Sequence, residues 1–221
     1  MIIKISQTAS NVRQSYDIEG ENFYYTADAG SFSRLQPIIL SGKDTTVKGV
    51  YTPSKWVNYI PFRYLFGREN LTRAFRLYKN GTAYGSIMHA DRGFLKSLYV
   101  ITSADGEVLQ CYYLSRGAFD YVSVYSGDVQ IALAETYLSV NDYMYTHKLY
   151  LSDAHARFAD VLAFFVVYYA SYRFAKRMHM SAGSVSTRSW SLSKYADKYD
   201  PAWRETHFPD ENFFGKTSLT K

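Results

Sequence analysis

The sequence predicts a mainly β fold: an antiparallel closed β-barrel of about twelve strands around one buried hydrophobic C-terminal helix. Three observations predict it. Residues 158–170, FADVLAFFVVYYA, read as a helix with almost no polar face, and a helix apolar all round has to be buried on every side. Ahead of it, turn signals recur at roughly 10–14 residues, the spacing of a sandwich or barrel. Tyrosine is abundant, 22 of 221 residues with 14 Phe beside it, and an aromatic body with a polar tip suits half-buried strand faces.

The elements follow in order. Short strands are expected at 15–18, 22–27 and 35–40, punctuated by Gly20, Gly30 and Gly42. Residues 51–70, with two prolines and no clean alternation, read as a long connection. A strand at 74–79 then meets Asn80-Gly81, a strong hairpin signal because both central positions of a type I′ turn need φ > 0. Strands at 83–89, 94–102, 108–114, 119–125, 129–138 and 143–151 follow, divided by turns at 91–93, 105–106, 116–117, 127–128 and 141–142. In one of them Val129, Ile131 and Leu133 are expected on one face, with Gln130, Ala132 and Ala134 on the other. Ser152 or Asp153 is placed to cap a helix over 154–177, and Lys176 and Arg177 in its last turn complement its dipole.

The domain is expected to span 1–180. Residues 181–221 are Ser-rich with spaced aromatics, and read as an irregular C-terminal extension, wrapped on the domain or partly disordered. Its anchors would be Trp190, Tyr195, Trp203, Phe208, Phe213 and Phe214.

Composition bounds the function. One cysteine, Cys111, rules out an intramolecular disulfide and a cysteine metal site. The start lacks the apolar region of a signal peptide, and the apolar run near 158–170 falls short of the ~20 residues of a membrane span. A cytoplasmic protein, peripheral to a membrane at most, is expected. The net charge of +5 is uneven: residues 43–79 hold eight cations against two anions, a net +6.

The order of hairpins followed by one apolar helix resembles the tubby C-terminal-like superfamily, which includes phospholipid scramblases and LURP-one-like proteins. The residues that carry it are FRLYKNG at 75–81 with Gly85-Ser86-Ile87, then 99–106, then SGDVQIA at 126–132, and the helix at 159–172. The resemblance covers about 71–175. It implies a closed barrel threaded by a hydrophobic helix and, for some members, basic side chains that bind anionic phospholipid headgroups.

No nucleotide-binding or nucleophile-elbow motif is present. His147, Asp153 and His155 read as an exposed cluster at a helix start, and Cys111 as a core thiol. Asp160, on the apolar helix, needs a partner if buried; Arg157 and Arg173 are the expected ones. The best functional candidate is the basic–aromatic segment, with Lys48, Lys55, Trp56, Tyr59, Arg63, Tyr64, Arg68, Arg73 and Arg76 as candidate ligand-binding residues. Its plainest reading is a solvated basic edge with the aromatics tucked inward. Cations with interfacial aromatics also suit an anionic membrane, and nucleic acid is the least favoured partner. The leading expectation is a non-enzymatic module for phospholipid headgroups or a membrane surface, with no cofactor or metal. The alternative is a protein-interaction or self-association scaffold acting through the tail.

Overall fold

The computed structural model describes residues 1–10, 13–30, 37–52, 70–93, 95–117, 119–138, 144–174, 189–190, 194–209 and 211. Twelve antiparallel strands form one closed barrel: β1 (Ile2–Ser10), β2 (Arg13–Glu19), β3 (Tyr24–Gly30), β4 (Ile38–Ser41), β5 (Thr46–Thr52), β6 (Asn70–Lys79), β7 (Thr82–Asp91), β8 (Ser97–Ser103), β9 (Val108–Gly117), β10 (Phe119–Ser126), β11 (Val129–Leu138) and β12 (Tyr145–Leu151). Each strand pairs with the next, and β12 returns to β1 with Ile3 opposite Leu149 and Ile5 opposite His147. Closure leaves no long unpaired edge. The two-residue β13 (Ser189–Trp190) adds to the end of β9.

A 3₁₀ turn over Asp153–Phe158 leads into α1 (Ala159–Phe174), which packs inside the barrel. From Phe158 to Ala170 every residue but Asp160 is buried. Inward-facing Ile3, Ile5, Ile18, Leu40, Val47 and Leu77 close around it. The rings interlock: Phe75 lies 4.7 Å from Tyr168, and Tyr99 meets Phe165 at 5.3 Å edge-on. Such pairs add about 0.5–1.5 kcal/mol beyond burial. Opposite the Phe164 ring β5 carries Gly49, and a Cβ there would sit 2.1 Å from Phe164 Cζ.

The two ends of the barrel differ. Where α1 enters, the connections are tight: Gly20–Phe23, Gly42–Thr45, Asn80-Gly81 and Ser103–Glu107. Asn80 and Gly81 take φ of 49° and 83°, as a type I′ hairpin requires. Thr52 and Asn70, the ends that 53–69 join, lie at the other end.

Several local expectations change. β1 and β5 were not apparent in the sequence. The regular helix begins at Ala159 rather than 154, because His155 departs from helical backbone. Ser152 holds the N-cap position, but its hydroxyl bonds His155 Nδ1 at 2.7 Å instead of a backbone amide. On β11 a bulge opposite Val124 and Tyr125 shifts the register, so Ile131 joins the interior while Leu133 turns outward. Val129, expected on the same face as both, is exposed.

Candidate binding surface

Lys48 and Arg76 lie on the outer wall formed by β4–β7, and both are exposed. Alternation puts them there: Val47 and Gly49 on β5, and Phe75 and Leu77 on β6, face the interior. In register Lys48 faces Tyr78 and Val50 faces Arg76, which makes the two cations diagonal neighbours, on the order of 7–8 Å apart. Exposed Val50 and half-buried Tyr78 complete the patch. Among the described residues neither cation has a carboxylate partner. The nearest acid in the register row is Asp28, two strands away and hydrogen-bonded by Ser15 at 3.0 Å. Of the other candidates, Arg73 lies on β6 with only its backbone described, and Lys55, Trp56, Tyr59, Arg63, Tyr64 and Arg68 lie outside the described residues.

Lys79 belongs to the same basic segment but is used differently. Its ammonium reaches Asp160 at 2.5 Å, and Tyr25 donates its hydroxyl to the other carboxylate oxygen at 2.9 Å. This corrects the partner expected for Asp160: Arg157 instead pairs with Glu107, and the side chain of Arg173 lies outside the described ones. Burial, then the Asp160 charge, raise the Tyr25 hydroxyl above its ordinary range, and the same causes push Tyr84 up to about 12. Lys79 offsets the charge of the one acid on α1, and Tyr25 hydrogen-bonds it.

The expected exposed histidine cluster does not form. His147 is buried, facing inward on β12, with Nδ1 2.8 Å from Thr136 Oγ1. Burial pulls it down to about 3. Asp153 and His155 lie beyond the other end of β12. Cys111 is fully buried, and burial raises its thiol well above the usual range, which suits a core residue. Among the described residues no group of three or more His, Cys, Asp or Glu side chains is placed to hold a metal ion. No described helix is long and apolar enough to cross a membrane.

The described part of the tail packs on the barrel it belongs to. It forms α2 (Pro201–His207), capped by Asp200, which accepts from the Ala202 amide at 2.9 Å. Tyr195 packs on Tyr112 at 4.9 Å, and Phe208 on Tyr150 at 5.3 Å. Trp203 joins Tyr121, Leu133 and Tyr150 in a second apolar cluster outside the barrel. Under α2 the side chains of Glu135 and Arg204 are both buried, 3.7 Å apart. That pair escaped sequence reasoning. Its signal was the apolar side chains Tyr121, Leu133 and Tyr150 on outward positions, which require a cover. The expected anchors Phe213 and Phe214 lie outside the described residues.

No family model, curated protein or solved structure matches this chain.

Proposed function

We propose that the protein is a non-enzymatic module that binds an anionic membrane surface through phospholipid headgroups, with the β4–β7 wall as part of the contact. The observation that carries this reading is the pair Lys48 and Arg76, exposed as diagonal neighbours and, among the described residues, without carboxylate partners, in a segment with net charge +6. Each cation near an anionic leaflet contributes about 1 kcal/mol, and exposed Val50 adds apolar contact. The helix fills the barrel with side chains, which favours an outer wall over an internal pocket as the binding surface. A twelve-stranded barrel around one apolar helix is also the architecture that the tubby-like resemblance implies, and a cytoplasmic, membrane-peripheral location follows from this reading.

Co-sedimentation with phosphatidylserine-containing and pure phosphatidylcholine vesicles tests it. Binding is expected with anionic vesicles alone, declining as salt rises. Reversing both charges, Lys48→Glu with Arg76→Glu, is expected to weaken it at least tenfold. Absence of binding at low salt, or affinity unchanged in the double variant, overturns the proposal.

A further inference from the structure

We propose that residues 194–209, with Glu211, form a releasable strap on the outer wall from β7 to β12, and that proton exchange at Glu135 sets how firmly its α2 part sits. The strap is an addition to a structure complete without it. The ladder closes through β12 and β1, and the apolar helix packs inside, with none of the described residues of 194–211 in the main core. α2 has only seven residues, too few to hold helical form in water unaided, so its order depends on the wall. Among the contacts that seat it, Trp203 Nε1 donates to the Gln130 carbonyl at 3.1 Å, Tyr199 packs on Tyr121 at 4.5 Å, and Lys148 pairs with Glu211 at 2.8 Å.

Glu135 lies at the centre of that seat. The charged and titratable groups facing it are Arg204 from α2, Lys148 and Tyr150 from β12, Tyr121 from β10, and Glu211 beyond α2. Arg204 approaches to 3.7 Å, long for an ion pair, and Glu135 Oε2 has no hydrogen-bond partner among the described residues. Docking therefore covers a carboxylate whose charge is incompletely compensated. Burial pushes it up to about 7, against the opposing pull of Arg204 and then Lys148. With the strap lifted, Glu135 lies on an outer wall in water, where a carboxyl titrates near its ordinary range. A group whose acidity is weakened in the docked state favours docking when protonated. The strap is thus held most firmly in mild acid and loosens as pH rises through about 7. Loosening bares Tyr121, Leu133 and Tyr150, an aromatic face otherwise covered.

Hydrogen exchange followed by NMR on the full chain tests this. The probes are the Trp203 indole N–H, assigned with Trp203→Phe, and the amides of α2. After the intrinsic exchange rate is divided out, strap opening is expected to increase about tenfold from pH 6 to pH 8, while amides of β1 hold their protection. Glu135→Gln is expected to remove the pH dependence. Opening that ignores pH in the wild type, the same dependence in Glu135→Gln, or strap protons that exchange no faster than β1 would each overturn the proposal.

Discussion

At the residue scale the clearest design is the neutralisation of Asp160. A carboxylate inside an apolar barrel mouth is costly unless it is paired, and Lys79 and Tyr25 supply the pairing. Lys79→Met keeps most of the apolar stem and removes the charge. It is expected to cost about 1–3 kcal/mol, read as a lower urea midpoint with an unchanged slope. Adding Asp160→Asn is expected to restore part of the loss, since the stranded charge disappears with it. Additive losses in the double variant would show that the two residues do not act as a pair. The need for a partner was legible from Asp160 alone; its identity was not. Lys79 lies 81 positions away, and helical spacing pointed only to the local Arg157 and Arg173. The wall cations show the same boundary. Lys48 and Arg76 stood out by type, but their being diagonal neighbours follows from the β5–β6 register.

At the element scale, the strands from β6 to β12 were readable because Asn-Gly, Asp-Gly and Gly-Asp turns delimit them. β5 was not, because its interior positions alternate Val47 with Gly49, and a glycine erases the apolar period. β1 begins with adjacent isoleucines, Ile2 and Ile3, which hide its alternation in the same way. The bulge in β11 is invisible in composition; it moved Leu133 outward, where Trp203 covers it. Gly49 has a packing reason, since α1 presses Phe164 against the wall there. Gly49→Ala is therefore expected to cost about 1–3 kcal/mol through overpacking, despite the usual gain from removing a strand glycine. Combining it with Phe164→Leu should yield a chain more stable than the sum of the single effects predicts. A thermal midpoint for Gly49→Ala at or above the wild type would refute the close contact.

For the whole molecule, two buried groups on opposite sides of the barrel wall set opposing pH dependences. Glu135, outside under the strap, is raised to about 7 and contributes stability that is lost as pH rises through that value. His147, inside, is lowered to about 3; its contribution is present above its ordinary value near 6.5 and is lost as pH falls toward 3. Between pH 6.5 and 5 the two slopes have opposite signs. The intact chain is expected to show little change there, because the slopes offset each other. Single variants separate them. In Glu135→Gln only the histidine remains, so the urea midpoint should fall with acidification over this window. In His147→Gln only the glutamate remains, and the midpoint should rise. Parallel profiles for the two variants would mean that neither group titrates between the folded and unfolded states as its burial requires. Divergent profiles would show that both burials contribute to the stability of the folded chain, with opposite dependence on pH.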